Sequence, residues 1–263
     1  MPYRIDIWEP SDDAFERLVA LDALDVEITT QGVAALLPDH VEPAAASGAA
    51  RDGRIIVSPA IGRDDGSVWM LNLRPVRVGR IEIVPASDTA APEAVQLIDS
   101  AAFGTGLHAS TALCLAILDD HARAADSRGI LDVGTGSGVL ALAALTVGVT
   151  RAVGVDIDRA ALAVAAANAR LNGVSERFRL VAGGAESVRG SWPLVVANVL
   201  AAPLIEMAPA LVQRVSSRGV LVLSGIGAGV STDVRRAYRR LGMLDVESRE
   251  RGGWTALVLR ASW

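Results

Sequence analysis

Three glycines spaced two residues apart follow an apolar stretch near the middle of the chain. Residues 130–133 predict a buried strand, and Gly134, Gly136 and Gly138 come directly after it. Glycine suits a sharp turn at which the backbone must touch a ligand, because a Cβ would block the approach. Dinucleotide folds use G-x-G-x-x-G, so the G-x-G-x-G spacing disfavours a nicotinamide oxidoreductase.

Two carboxylates accompany these glycines and indicate the kind of ligand. Asp156 ends the next apolar run, 152–155, where a carboxylate can accept both hydroxyl hydrogens of a ribose. Asp132 precedes the first glycine, and its negative charge is wrong for a diphosphate but suited to an ammonium. S-adenosylmethionine contains both a ribose and an amino-acid ammonium, so the sequence predicts this cofactor.

A second unusual stretch precedes an apolar run that predicts a helix. It reads Phe-Gly-Thr-Gly-Leu-His-Ala-Ser-Thr and includes the candidate cofactor-binding residues Phe103, Thr105 and Thr111. Ser110 and Thr111 would lie at the start of the helix, where free backbone N–H groups favour an anion. The alternative is an ordinary Ser/Thr N-cap. His108 is interpreted as a hydrogen-bonded structural residue rather than a base.

An amide side chain, Asn198, stands at the end of the predicted strand 194–197. Ligands bind at the carboxyl ends of the strands in an open α/β sheet. We therefore expect Asn198 to be catalytic and to contact the cofactor site. On this hypothesis its carbonyl accepts a hydrogen bond from a substrate amine and orients the lone pair of the nitrogen. The alternative is that Asn198 caps the following helix.

Strands and helices alternate regularly from about residue 128 onward. The expected strands are 130–133, 152–156, 178–181, 194–197 and 220–223, and the expected helices are 137–147, 159–171, 204–215 and 232–241. The last two runs, 244–248 and 255–259, predict an antiparallel hairpin. Apolar strands between helices predict a sheet that is covered on both faces. The fold class is therefore α/β, with a doubly wound, seven-stranded, Rossmann-like methyltransferase sheet.

The first hundred residues follow a different pattern and predict other domains. Residues 1–42 predict a small α+β module, with strands at 4–8, 25–30 and 33–37 and a helix at 12–21. Residues 43–53 are mostly small or polar and predict a linker. The expected division is a substrate-recognition module at 1–42, a linker with connecting strands at 43–100, and a methyltransferase domain at 101–263.

Composition narrows the classes of function. Of the 263 residues 51% are hydrophobic, and the net charge is −5, so no overall basic field attracts nucleic acid. All 25 basic residues are arginine; a GC-rich genome explains this, and the alternative is that a lysine-modifying enzyme avoids modifying itself. Cys114 is the one cysteine and the three histidines are scattered, so no metal site is expected. The N-terminus lacks the apolar segment of a signal peptide, and the apolar run 139–149 is too short to span a membrane. A soluble, monomeric, cytoplasmic protein is expected.

Four motifs resemble the ribosomal protein L-eleven methyltransferase family (PrmA-type), in order and spacing. They are residues 103–111, 132–138, 155–158 and 197–200, and the similarity covers about residues 69–263. The resemblance implies methylation of lysine side-chain and N-terminal amines on a ribosomal protein, with S-adenosylmethionine as cofactor. The family's cofactor residues carry over to Thr111, Gly134, Asp156 and Asn198.

The chain departs from the family pattern in two places, and these keep other functions open. The family usually has His-Pro-Thr-Thr where this chain has His-Ala-Ser-Thr at 108–111, which keeps both hydroxyls. The family's N-terminal recognition domain is longer than residues 1–42. A methyltransferase for another protein or a small molecule therefore remains an alternative, as does a catalytically silent binding protein. The intact Asp132, Asp156 and Asn198 argue against the silent protein.

Overall fold

The chain folds into two compact units, Met1–Asn72 and Leu73–Trp263. The computed structural model describes residues 3–21, 23, 25–29, 32–38, 40–59, 75–91, 93–98, 108–121, 129–251 and 253–263. The apolar run at 68–73 predicts one of the connecting strands, and it lies outside the described residues.

The first unit contains a four-stranded antiparallel sheet and two short helices. Its elements are β1 Tyr3–Ile7, α1 Ala14–Ala20, β2 Asp25–Thr29, β3 Gly32–Leu37, a 3-10 helix Pro43–Ala49 and β4 Ile56–Pro59. The strand order is β2-β3-β1-β4. Ile5 and Ile7 of β1 alternate with more exposed residues and are buried, as expected for a strand with one face on a core. The small α+β module expected at the N-terminus is therefore present.

The first unit extends well past residue 42, to Asn72. Residues 43–53 do not form the linker that their composition predicts. Pro43–Ala49 forms the 3-10 helix, whose Ala46 and Ala49 are buried. β4 pairs with β1, with Ile56 opposite Asp6. Small residues are common in linkers, but here they allow a short helix to pack closely. The division between units falls after Asn72, and the strands at 76–97 belong to the second unit.

The second unit is built around a seven-stranded sheet. Its elements are β5 Val76–Val78, β6 Ile81–Pro85, β7 Val95–Leu97, α2 Ala109–His121, β8 Ile130–Val133, α3 Val139–Thr146, β9 Ala152–Asp156, α4 Arg159–Leu171, β10 Phe178–Ala182, β11 Trp192–Asn198, α5 Ala201–Glu206, α6 Ala208–Gln213, β12 Val215–Gly227, α7 Ser231–Arg239, β13 Met243–Arg251 and β14 Trp254–Ala261. The order of the large sheet is β10-β9-β8-β11-β12-β14-β13, while β5, β6 and β7 form a separate three-stranded sheet.

The large sheet is doubly wound and covered on both faces, as predicted. β8 to β12 are parallel, and β14 joins β12 and β13 antiparallel. One apolar cluster includes residues of α2, α3 and α4, and the other includes residues of α5, α6 and α7. Because every central strand is buried on both sides, the uninterrupted apolar runs of the sequence are explained.

Two elements of the second unit differ from the prediction. The helix expected at 204–215 is two short helices, α5 and α6, which meet at Met207. Pro209 lies in the first turn of α6, where its missing N–H costs no hydrogen bond. β12 is much longer than the expected 220–223, and its pairing shifts register between Leu223 and Ile226.

Candidate functional site

The predicted site residues lie at the carboxyl ends of neighbouring strands. Asp132 is in β8, Asp156 ends β9 and Asn198 ends β11. The chain runs outward from β8 in one direction through β9 and in the other through β11, so the strand order reverses here. Open α/β sheets bind ligands in the crevice at such a reversal. The topology therefore brings to one edge of the sheet residues that are far apart in the chain.

The three glycines form a tight turn between β8 and α3. Gly134, Gly136 and Gly138 have φ angles of 72°, 54° and 84°. Residues other than glycine rarely adopt this left-handed region. The N–H groups of Gly134 and Thr135 both donate to the Val155 carbonyl, at 2.9 and 3.0 Å, which fixes the turn to β9. A Cβ on Gly138 would lie 2.9 Å from Cε1 of Phe178. The local fold therefore requires glycine in this turn, and the contact of the turn with a ligand stays a prediction.

Asp156 connects β9 to this turn. Its Oδ2 accepts from the Gly136 N–H at 2.9 Å, and its Oδ1 accepts from the Asp158 N–H at 3.0 Å. A carboxylate has about four acceptor positions, so both oxygens can accept further hydrogen bonds from a ribose. The carboxylate is half-buried at the edge of the sheet. Its place agrees with the role expected for it, which stays a prediction.

Asp132 is fully buried beneath the glycine turn. Its Oδ2 accepts from the Thr135 hydroxyl at 2.7 Å and from the Ala141 N–H at 3.3 Å. Its Oδ1 is buried and has no hydrogen-bond partner among the described residues. Burial raises the pKa of Asp132 from 3.8 to about 7, and the negative charge of Asp156 adds to the rise. An ammonium at Oδ1 would oppose both effects, which fits the role expected for Asp132.

Asp132→Asn should change how stability depends on pH. Because the pKa of Asp132 is higher in the folded protein than its ordinary 3.8, its protonated form stabilises the fold. This stability is present below pH 4 and is lost as the pH rises to about 7, by up to about 4 kcal/mol. We expect the free energy of unfolding of the variant, relative to the parent, to rise between pH 4 and pH 8. Calorimetric unfolding of both proteins across this range would contradict the assignment if their profiles were parallel.

Asn198 and Thr111 form a hydrogen bond that joins β11 to the first turn of α2. Asn198 Nδ2 donates to Thr111 Oγ1 at 3.1 Å, and Thr111 is fully buried. Asn198 Oδ1 is buried and has no partner among the described residues. A buried oxygen without a hydrogen-bond partner lowers the stability of the fold, so Asn198 Oδ1 is a candidate acceptor for a hydrogen bond from a ligand. The bond also orients the amide, because it leaves the carbonyl oxygen rather than the NH₂ group unpaired.

A bulge in β12 supports the chain immediately after Asn198. Val199 N–H donates to the Ser224 carbonyl at 3.0 Å, and the Ser224 hydroxyl donates to the Ser110 carbonyl at 3.0 Å. Gly225 has a φ of 81°, and a Cβ there would lie 2.4 Å from the Val199 carbonyl oxygen. Ser224 is buried and connects β12 to α2. The end of β11 is therefore bonded both to β12, through Ser224, and to α2, through Thr111.

His108 is placed for structure rather than proton transfer. Its Nδ1 lies 2.7 Å from Ser110 Oγ and accepts from the Ser110 N–H at 3.3 Å. Its ring packs edge-on against Trp254, with the centroids 4.8 Å apart. Burial lowers the pKa of His108 to about 4, so the ring is neutral at physiological pH. The interpretation of His108 as a hydrogen-bonded residue agrees with these contacts.

Two predicted site residues, Phe103 and Thr105, lie outside the described residues. The sequence stretch 223–226 predicts either a wall of the pocket or a tight strand-to-helix turn; it lies within β12, where Ser224 is buried and bonds to α2. Ile157, directly after Asp156, has no role predicted from the sequence, and its large apolar side chain is 84% exposed beside the predicted site. An isoleucine between two aspartates was the available signal.

The described part of the chain contains neither a metal site nor a membrane span. Within it, no three His, Cys, Asp or Glu side chains come together as metal ligands. No helix in the same ranges is both long and apolar enough to cross a membrane.

The donor and acceptor groups of the site fit S-adenosylmethionine. The orphaned Asp132 Oδ1 suits an ammonium, and the half-buried Asp156 suits a ribose. The sheet order, with β14 antiparallel to both of its neighbours, is that of the Rossmann-like methyltransferases. The chain is an enzyme of this class that uses S-adenosylmethionine. The model of the family described as Ribosomal protein L11 methyltransferase (PrmA) matches residues 51–262. The chain belongs to this family.

Individual relatives support the family membership. A protein of Pelobacter propionicus named Ribosomal protein L11 methyltransferase is 39% identical over 215 residues, which are 79% of this chain and 70% of that protein. A protein of Geobacter metallireducens with the same name is 35% identical over 257 residues, 96% of this chain and 79% of its own length. The crystal structure titled ribosomal protein L11 methylase, from Lactobacillus delbrueckii subsp. bulgaricus, matches with a TM-score of 0.66 and 28% identity, over 72% of this chain and 99% of that one.

Proposed function

We propose that the chain methylates amino groups, those of lysine side chains, the N-terminus or both, on ribosomal protein L11. The observation that carries the chemistry is the unpaired, buried Oδ1 of Asn198 at the carboxyl end of β11. A neutral amide oxygen at this place accepts a hydrogen bond from an amine without stabilising its protonated form. The relatives named Ribosomal protein L11 methyltransferase support the choice of substrate.

The residues of the site divide the work between holding the cofactor and orienting the amine. When bound, S-adenosylmethionine supplies a methyl group on a positively charged sulfur, which is already a strong electrophile. Asp156 accepts the ribose hydroxyls, Asp132 pairs with the ammonium, and the glycine turn leaves room for both. Asn198 accepts one N–H of the amine and directs the nitrogen lone pair, so positioning supplies most of the acceleration. Thr111 fixes the rotation of the Asn198 amide.

Methyl transfer to purified L11 tests the proposal directly. The full chain is incubated with labelled S-adenosylmethionine and either purified L11 or a lysate, and the methylated residues are located by mass spectrometry. Because this chain contains no lysine, every methyl-lysine found belongs to a substrate. The proposal requires label in L11. Label in another protein, with none in L11, would refute the choice of substrate but not the chemistry.

A methyltransferase for another protein or a small molecule is the second candidate. The family model begins at residue 51, so most of the first unit lies outside the matched region. Protein substrates are recognised over surfaces much larger than the methylated side chain, so a first unit that lies mostly outside the family model leaves room for a different partner. The lysate arm of the same experiment decides between the candidates.

Deleting residues 1–72 should abolish methyl transfer to protein and spare cofactor binding. The described site residues and their supporting clusters all belong to the second unit, Leu73–Trp263. We expect the truncated chain to bind S-adenosylhomocysteine within about threefold of the parent affinity, a difference under 1 kcal/mol. Calorimetric titration checks binding, and labelled transfer checks activity. A truncated chain that methylates L11 at the parent rate would show that the first unit has no part in recognition.

The proposal also covers the location of the enzyme, its oligomeric state and its binding of nucleic acid. We take it to be a cytoplasmic monomer that contacts its protein substrate without binding nucleic acid directly. The net charge of −5 supports the last point. Sedimentation at micromolar concentration, with and without RNA, checks both the oligomeric state and RNA binding.

A further inference from the structure

Asn168, in the last turn of α4, and Asn172, the residue that caps the end of α4, bind the backbone at the end of β7. Asn172 Nδ2 donates to the Gln96 carbonyl at 2.7 Å, and its Oδ1 accepts from the Gln96 N–H at 2.8 Å. Asn168 Oδ1 accepts from the Ile98 N–H at 2.9 Å. The two side chains therefore take the place of a neighbouring strand along this edge of β7, and they fix it to α4.

Asn168 makes one contact that Asn172 does not. Its Nδ2 donates to the Ser137 carbonyl at 2.8 Å, and Ser137 lies between the second and third glycines of the turn. Both Asn168 and Ser137 are buried. The NH₂ group of Asn168 thus donates to the glycine turn, and its oxygen accepts from the chain at Ile98. An apolar side chain at this place would leave the buried Ser137 carbonyl and the partly buried Ile98 N–H unpaired.

The glycine turn needs such support. Three glycines in the left-handed region give the unfolded turn more freedom than any other residue type would, so ordering it costs more entropy. α4 already packs closely against the turn, because a Cβ on Gly138 would lie 3.3 Å from the Cβ of Ala165. The bond from Asn168 adds a directional contact to this packing. It fixes the peptide that joins Ser137 to Gly138, and Ser137 directly follows Gly136, whose N–H donates to Asp156.

We propose that Asn168 is a positioning residue for cofactor binding. It holds the glycine turn in the shape that receives the cofactor, and it couples that turn to Ile98. One buried amide therefore connects the glycine turn to the chain that directly follows β7. Asn168 does not itself touch the ligand on this proposal.

Binding of S-adenosylhomocysteine to three variants of the full chain tests the proposal. Asn168→Asp keeps an oxygen for the Ile98 N–H but loses the hydrogen given to Ser137. Asn168→Ala loses both bonds without adding a charge. Asn172→Ala is the matched control, because it loosens the same edge of β7 one turn away and makes no bond to the glycine turn. Calorimetric titration gives the Kd, and thermal unfolding gives the Tm of each variant.

We expect both Asn168 variants to raise the Kd about tenfold, the effect of one lost hydrogen bond between buried groups. Asn172→Ala should lower the Tm but leave the Kd within about twofold. Hydrogen exchange of the cofactor-free protein should become faster at residues 136–139 in the Asn168 variants and stay at the parent rate there in the control. This pattern does not depend on which amine the enzyme methylates.

Two results would overturn the proposal. One is a parent-like Kd in Asn168→Ala, which would show that the turn needs no such support. The other is an equal rise of the Kd in Asn168→Ala and Asn172→Ala, which would reduce Asn168 to a general stabilising contact. If the buried charge of Asn168→Asp prevents folding, the comparison of the two alanine variants decides alone.

Discussion

Asn198→Ala should lower the single-turnover rate by about 100-fold, the loss typical of a misplaced reacting group. Its affinity for S-adenosylhomocysteine should fall far less, because the larger part of what is lost is the alignment of the amine at the transition state. The physical basis is the buried, unpaired Oδ1 of Asn198. The hydrogen bond from Nδ2 to Thr111 fixes the rotation of the amide and so fixes the direction of Oδ1. Single-turnover kinetics with saturating cofactor measures the rate, and calorimetry measures the affinity.

Two further variants separate alignment from a helix-capping role. Asn198→Asp keeps the shape, but its negative charge favours the protonated, non-nucleophilic amine, so its rate should be low and should recover toward higher pH. Thr111→Val removes the oxygen that receives the Asn198 Nδ2 hydrogen and should cost about tenfold in rate, the effect of one hydrogen bond. Asn198 variants as fast as the parent across pH would leave Asn198 as a cap for the following helix.

Asp156→Ala should weaken binding of both S-adenosylmethionine and S-adenosylhomocysteine by about 1.5–3 kcal/mol. The variant loses charged acceptors for the ribose, which the two ligands share. It also loses the acceptor for the Gly136 N–H, which loosens the glycine turn. Equal losses for the two ligands are expected, because neither oxygen of Asp156 interacts with the methyl group on this proposal.

Asp158→Ala is the matched control for Asp156. Its carboxylate lies two residues further along, caps α4 through the Ala160 N–H at 2.8 Å and is exposed. Losing it should cost about 1 kcal/mol of stability and leave the affinity for cofactor unchanged. Calorimetric titration of the two variants side by side decides the matter. Equal weakening in both would mean that the loop in general, rather than Asp156, determines affinity.

The central elements could be predicted because local pattern and tertiary environment agree there. β9 at Ala152–Asp156 and α4 at Arg159–Leu171 begin and end at the predicted residues. An apolar run between polar residues leaves a parallel strand few alternatives, and Asp158 and Gly173 are strong signals for the ends of the helix. The same agreement allowed the edge of the sheet that holds Asp132, Asp156 and Asn198 to be located from the sequence.

Other parts of the fold depend on contacts that a local pattern does not contain. Pro43–Ala49 has the composition of a linker, and only its packing makes it a 3-10 helix of the first unit. The break at Met207 was signalled by Pro209, but a continuous apolar periodicity predicted one helix. In the site, Thr111 and Asn198 were each predicted, whereas the bond between residues 87 positions apart was not. The bonds of Asn168 to Ser137 and Ile98 were missed for the same reason, although a polar residue in an alanine-rich helix was a signal.

The position of β14 has a consequence for the synthesis of the protein. β14 follows β13 in the chain, yet it lies between β13 and β12 in the sheet. A ribosome releases β13 first, and at that moment β13 has no strand to pair with, while the outer edge of the fully apolar middle of β12 is uncovered. Both strands find their partner only when β14 emerges, so this end of the sheet is the last part to be completed. A chain interrupted after β13 would expose two unpaired edges and is expected to aggregate rather than to fold into a smaller enzyme.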